Sequence, residues 1–350
     1  MIKIAFKQTT FFEIPKKVIN IDLYVDESKN RDYIDCNGNK ELITYIMILA
    51  VPKNKKEELY QKINNARCLA NEDNIFDNCN KKCKYHCGNN GELHYTEIQK
   101  NNVKYKIADK WLDILLNNNL SDNKAIYFNI LGIVESNLDI NNFGTEKQFG
   151  NVYCRFFRAC LLRLLAMFKE YDQVIIDNIY HDTTTEMETH PYFNKNAIKQ
   201  IRFNQLIENS RKFIFNTNEI NFIDSNHKVG DNINSQFIQF VDIILGSSLN
   251  VIHDAAPNFY KKALSFKLKP LIERILSNDS IFVKKNSSYN YFNRQSISYF
   301  PVISKENLEG KLSEIYSSEV NIQKILENTN YFSNTKKILL EEDTGQISFF

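Results

Sequence analysis

Four acidic residues stand at positions where a carboxylate can do chemistry. Asp26 closes the alternating run Ile21-Asp22-Leu23-Tyr24-Val25 and is followed by Glu27 and Ser28. Glu92 opens the segment Glu92-Leu93-His94, just ahead of a helical pattern, and Asp177 closes the β-branched run Val174-Ile175-Ile176. Asp242 interrupts the apolar stretch Phe237–Leu245, three residues after Gln239, so that the two share a helix face. A carboxylate in so apolar a helix is costly unless a cation or several donors compensate it. Taken singly, the first three have ordinary readings: an acidic turn, a favourable charge on a helix dipole, a strand end. If all four converge at one edge of a sheet they repel one another, and divalent cations relieve that repulsion. Hard oxygen ligands of this kind suit Mg2+ or Mn2+. Two such ions about 4 Å apart would activate a water and stabilise the leaving oxygen of a phosphodiester. His94 or His181 would be at hand to move protons.

A second constellation is Cys79, Cys83 and Cys87, with His86 beside them and Cys68 and His94 flanking. Zinc takes four sulfur or nitrogen ligands in a tetrahedron, and closely spaced cysteines bring them together at little loop-closure cost. The spacing is not a C-x2-C pair, so a structural Zn2+ held by Cys79, Cys83, Cys87 and Cys68, with His86 or His94 as alternative ligands, stands beside the reading of reduced thiols in a polar insertion. The third is a basic and aromatic stretch. Lys261, Lys262, Lys267, Lys269, Lys284, Lys285 and Arg294 are interleaved with Tyr260, Phe266, Phe282, Tyr289, Tyr291 and Phe292. Cations for phosphates with rings for bases compose a nucleic-acid groove. A solvated basic helix face and hairpin would have the same composition.

The elements that must hold these residues follow from periodicity. Residues 21–25 and 41–51 read as strands, 53–76 as a surface helix, 101–118 as a helix and 125–134 as a buried strand. Residues 151–170 form a helix apolar on most faces, 173–177 a short strand, and 178–197 a long polar loop carrying His181 and His190. A helix at 198–211, a strand pair within 213–224 and an apolar helix over 233–250 complete the pattern. Long regular elements fit a chain with 10 Gly and 6 Pro among 350 residues. A formal net charge of +2 forces no partner, so a nucleic-acid surface must be a local patch. The N-terminus lacks the apolar run of a signal peptide and no stretch of 18 apolar residues occurs, which gives the expectation of a cytoplasmic protein with no membrane partner. Seven cysteines without an export signal read as thiols or metal ligands.

Asp26-Glu27-Ser28, Glu92-Leu93-His94, Ile175-Ile176-Asp177 and Gln239-Phe240-Val241-Asp242 occur in an order that resembles the ribonuclease H-like superfamily, and within it the family known as domain of unknown function 3800. The likeness covers roughly residues 20–254. It departs from the family at Lys29, where a glycine is usual, and in the cysteine-bearing insertion. The resemblance implies an α/β fold, a ribonuclease H-like mixed sheet flanked by helices, over residues 1–254, with the insertion at about 68–94. A basic and aromatic helical extension over 255–340 and a tail over 341–350 would follow. It implies a metal-dependent nuclease, a phosphodiester hydrolase with a two-metal site of Asp26, Glu92, Asp177 and Asp242. The alternative is a ribonuclease H-like module that binds nucleic acid or protein without cutting. The last five residues, Gln346-Ile347-Ser348-Phe349-Phe350, resemble the bacterial sliding-clamp-binding motif. Gln346 would bond at a pocket rim while Ile347, Phe349 and Phe350 fill apolar pockets. A defence or mobile-element setting would suit a nuclease tethered in this way.

Overall fold

Two long strands carry the architecture: the first sends Ile19, Ile21, Leu23 and Val25 to one face, and the second is apolar on both. β1 (Val18–Ile34) pairs antiparallel with β2 (Lys40–Pro52), in which every residue from Ile43 to Val51 is buried. Such continuous burial marks central strands covered on both sides. β3 (Tyr127–Val134) extends the antiparallel meander beyond β2. On the other side of β1 lies β4 (Gln173–Asp182), which runs parallel to it. β5 (Lys212–Phe215) and β6 (Asn221–Ile223) both pair parallel with β4, and β7 (Gln295–Phe300) pairs parallel with β3. The mixed sheet has seven strands in the order β5-β4-β1-β2-β3-β7, with β6 also on β4. The computed structural model describes residues 17–34, 40–68, 92–100, 102–120, 124–135, 138, 148–183, 185–190, 193, 212–226, 232–253, 256, 258–277 and 294–300.

Helices cover both faces. α1 (Lys53–Ala66), α2 (Asn102–Leu120), α5 (Asn232–His253) and α6 (Phe259–Ser277) lie on one side, where Trp111, Phe237, Phe240, Ile244 and Leu268 share a core with Tyr24, Met47 and Phe128. α3 (Gln148–Leu165) covers the other, packing Phe156, Phe157, Leu161 and Leu164 against Leu23, Val25, Ile48 and Ile176. A one-turn α4 (Thr185–Glu188) follows β4. Each fully buried Phe, Leu or Ile contributes about 1.5–3 kcal/mol of transfer free energy, so α5, buried along most of its length, is the main anchor of its layer. α5 is also the one helix among the described residues with the length and apolarity to cross a membrane, and 89% of that apolar window is enclosed by the rest of the protein.

Three expectations change. The first strand, expected to close at Asp26, runs on as β1 to Ile34 because it keeps pairing with β2. The strand expected to stop at Asp177 continues to Asp182, because Ile179 and His181 are buried on the α3 side and pair in register with Leu23 and Val25. Residues 178–182 therefore belong to the sheet, not to a loop. The described residues beyond 254 do not stand apart either. Leu264, Leu268, Leu271, Ile272 and Ile275 of α6 and Ile297 of β7 complete the same core as α5. The helix expected at 198–211 and most of the cysteine-bearing insertion lie outside the described residues.

Candidate functional site

Because β1 and β4 are parallel and in register up to Val25 and His181, Asp26, midway along β1, lies beside Asp182 at the C-terminal end of β4. α5 runs across that face, as the stacking of Phe237 on Tyr24 shows (4.7 Å between ring centroids), and brings Asp242 over the same edge. The segment 92–95 enters from the side. The Tyr95 amide donates to Asp242 Oδ2 at 2.6 Å, and the Ser225 hydroxyl donates to Glu92 Oε1. His94 lies between the two acids, with Nε2 2.5 Å from Glu92 Oε1 and Nδ1 3.5 Å from Asp242 Oδ2.

One buried amide stitches these segments together. Gln239, one turn before Asp242, is 1% exposed. Its Oε1 accepts from the Arg67 guanidinium and, at 2.8 Å, from the Leu93 amide. Its Nε2 donates to the Ser225 carbonyl at 2.6 Å. Arg67 is itself buried at the end of α1, 4.9 Å from the Trp111 ring and bonded to Gln236 at 3.0 Å. Gly246, one turn beyond Asp242, admits the Tyr95 ring, since a Cβ there would overlap it.

The electrostatics are those of crowded acids. Burial lifts the Asp26 carboxyl well above its ordinary range, and the charges of Asp242, Glu27 and Asp182 add to the shift, against a 2.8 Å hydrogen bond from the Glu27 amide. Burial, reinforced by Glu92, pushes Asp182 up to about 6. Burial also opposes the charge on Glu92, but hydrogen bonds from His94 and Ser225 prevail and hold it low. Hydrogen bonds to Asp242 and Glu92 raise His94 to about 11, so the imidazolium is a cation seated among carboxylates. Behind the strand ends, on the α3 side, the side chain of His181 is fully enclosed. Its Nε2 is 2.7 Å from Tyr153 Oη and 3.5 Å from Glu27 Oε2, and its Nδ1 is 2.7 Å from the Asp182 carbonyl. Burial drives His181 down to about 4, so it is neutral, donating from Nδ1 and accepting the Tyr153 hydroxyl at Nε2.

Of the four acids singled out in the sequence, Asp26, Glu92 and Asp242 come together and Asp177 does not. Asp177 is the residue skipped where the β1–β4 register shifts between Ile21 and Asp22. It bonds instead to Lys53 at 2.9 Å, Asn20 at 3.1 Å and Asn216 at 2.6 Å, and these bonds keep its carboxyl low against the opposing effect of burial. The β4 acid beside Asp26 is Asp182. Asp182, Glu27, Ser225 and Arg67 were not picked out in the sequence. The one signal for Asp182 was the alternation that continues through Ile179 and His181.

The donor set suits a divalent cation in kind: four carboxylates from four segments, two of them driven toward their neutral form by burial and by neighbouring acids. With Glu92 and Asp242 turned onto His94, the described residues contain no group of three or more His, Cys, Asp or Glu side chains arranged around a common metal position.

The other expected sites divide. Cys68 is buried at the end of α1, while Cys79, Cys83, Cys87 and His86 lie outside the described residues. Among the cations, Lys261 is buried with its Nζ 4.8 Å from the Tyr95 ring, Lys267 pairs with Asp109 at 2.7 Å and Asp113 at 2.8 Å, and Arg294 is 2% exposed. These three hold α6 and β7 in place. Lys262 and Lys269 are half-buried on α6, and Lys284, Lys285 and Gln346–Phe350 lie outside the described residues. Comparison of the chain with protein-family models, with curated proteins and with solved structures finds no match.

Proposed function

We propose that this chain is a metal-dependent phosphodiester hydrolase whose site is Asp26, Asp182, Glu92 and Asp242. The observation that carries the reading is the Asp26 carboxyl, lifted by burial and by the charges of three neighbouring acids, beside the C-terminal end of β4. Such an arrangement is unfavourable in an empty protein and becomes favourable when cations enter it. A mixed sheet flanked by helices agrees with the ribonuclease H-like resemblance. Divalent cations bound there would stabilise charge developing on the phosphodiester and acidify the attacking water. The protein's own contributions are separable. The Glu27 amide and the Tyr95 amide orient Asp26 and Asp242, while Ser225 orients Glu92. His94 holds a proton on each ring nitrogen between Glu92 and Asp242, which places a cation between two of the acids. Neutral His181 fixes the Asp182 backbone.

The test is Mn2+- and Mg2+-dependent cleavage of single-stranded, duplex and hybrid substrates. Asp26→Asn, Asp182→Asn and Asp242→Asn should each lower cleavage by 100-fold or more, on the order of what removal of one electrostatic group costs a catalytic site, while Asp177→Asn retains it. Absence of cleavage by the parent with any substrate and metal, or loss in Asp177→Asn with retention in Asp182→Asn, would overturn the assignment. The Gln346–Phe350 peptide, by its likeness to clamp-binding peptides, would bring the hydrolase to a sliding clamp, and its deletion should abolish that association without altering the melting temperature.

A further inference from the structure

Three large apolar side chains among the described residues are strongly exposed, and two of them belong to one helix face. Phe259 is 76% and Phe266 60% exposed, seven residues and two helical turns apart on α6. Each is followed three residues later by a lysine, Lys262 and Lys269, in the repeat Phe259-x-x-Lys262-x-x-x-Phe266-x-x-Lys269. The opposite face of the helix is spent on the core through Leu264, Leu268, Leu271, Ile272 and Ile275. No carboxylate occurs between Phe259 and Pro270. Lys261 and Lys267, the other two lysines of this stretch, turn toward Tyr95 and toward Asp109 and Asp113. Phe259, Lys262, Phe266 and Lys269 thus share one side of the helix.

The aromatic surface continues sideways. Tyr260 meets Phe259 edge-on, with 5.7 Å between centroids, and stacks on Tyr105 of α2 at 4.9 Å. It also leads toward the acids. Lys261 lies over the Tyr95 ring and 3.4 Å from the Thr96 carbonyl, and the Tyr95 amide is the donor to Asp242. The near end of the ridge is therefore joined to the acidic edge through Lys261 and Tyr95.

We infer that this ridge of α6 is a docking platform for single-stranded nucleic acid, with Phe259 and Phe266 stacking on bases and Lys262 and Lys269 meeting phosphates. Exposed rings alone would fit any apolar partner; the lysines at a fixed offset from each ring, with no acid between Phe259 and Pro270, favour a polyanion that carries flat groups. Paired bases in a duplex keep their faces covered by their neighbours, whereas an unpaired strand offers them to aromatic side chains. The platform names the substrate class for the hydrolase proposed above and rests on that reading only for the cleavage step, not for binding.

The experiment is fluorescence anisotropy of a labelled oligothymidine with the full chain in EDTA, so that binding is read without cleavage. Phe259→Ala/Phe266→Ala should weaken binding at least tenfold, as the loss of two base stacks requires. Lys262→Ala/Lys269→Ala should flatten the dependence of log Kd on log salt concentration by about 1.4, from about 0.7 for each phosphate that a lysine neutralises on a single strand. The labelled duplex should bind more weakly than the single strand. Equal affinity of the Phe variant and the parent, duplex binding as tight as single-strand binding, or no binding by the parent would each overturn the platform. Metal-dependent cleavage that the Phe variant retains at full kcat/KM would leave the hydrolase standing without it. Single-strand binding lost with the two Phe side chains, in a parent that never cleaves, would leave the platform standing alone.

Discussion

Replacing Gln239 by Leu keeps the volume of the side chain and removes its polar end. Three partners lose a bond at once: the Arg67 guanidinium, the Leu93 amide and the Ser225 carbonyl. All three bonds are enclosed, since Gln239 is 1% and Arg67 1% exposed. A bond to a charged donor contributes about 1.5–3 kcal/mol and a neutral one about 0.5–1.5, with more lost when the remaining group stays dry. Arg67 keeps its bond to Gln236, which limits its share. The sum is about 3–6 kcal/mol, a large part of the 5–15 kcal/mol that ordinarily separates folded from unfolded chains. Gln239→Glu is the informative partner substitution. It still accepts from Arg67 and Leu93, supplies a charge to a buried guanidinium, and loses only the donor to Ser225, so it should cost about 1–2 kcal/mol. Urea unfolding followed by circular dichroism reads both, with an unchanged m-value as the check that compactness is preserved. A Gln239→Leu protein within about 1 kcal/mol of the parent would refute this reasoning, and so would a Gln239→Glu protein less stable than Gln239→Leu.

The other two predictions concern the acids and the helix that carries one of them. Asp182 has its carboxyl raised from 3.8 to about 6, so the folded state binds more protons than the unfolded between those values. Stability from this group is highest below pH 4, falls as pH rises to 6 and stays low above it. Asp182→Asn should therefore be more stable than the parent by about 1–3 kcal/mol at pH 8 in EDTA, with the gain gone by pH 4; thermal melts at the two pH values check it, and a variant less stable at pH 8 would contradict it. Gly246→Ala should displace Tyr95, release its amide from Asp242 and lower the melting temperature, although alanine ordinarily favours a helix by about 0.5–1 kcal/mol; a melting temperature at or above the parent's would show that the ring moves freely.

Much of this arrangement is legible in the chain because it rests on local period. The alternation at Ile21–Val25, the apolar run Ile43–Val51 and the helical spacing of Phe237–Leu245 each identify their element, and with them the positions of Asp26 and Asp242. Glu92 is legible by its place before a helix, although one of its partners, Ser225, lies 133 residues away in the chain and only the fold brings it in, while His94 is two residues on. Asp182 was illegible for a physical reason. Strand β4 runs past Asp177 through Asn178, Tyr180 and His181, polar residues that read as loop, and only the burial of His181 against Tyr153 and Phe193 makes them strand. Arg67 was illegible for the converse reason: a lone arginine at a helix end looks solvated until a tryptophan and two glutamines enclose it.

The skipped residue at Asp177 has one more consequence. Side chains on a strand alternate between faces, so a single unpaired residue inverts the parity of everything after it. Upstream, Ile176 points to the α3 core; downstream, Ile179 and His181 do, while Tyr180 stacks on Tyr24 on the α5 side and Asp182 follows it there. Were Asp177 paired in the ladder instead of skipped, the imidazole would face α5 and the carboxylate would be entombed beneath α3. The kink is thus an indexing device, one residue long, that decides which of two neighbouring side chains is dealt to the acidic edge. Lys53, Asn20 and Asn216, all bonded to Asp177, are its latch: they guard the count along the strand.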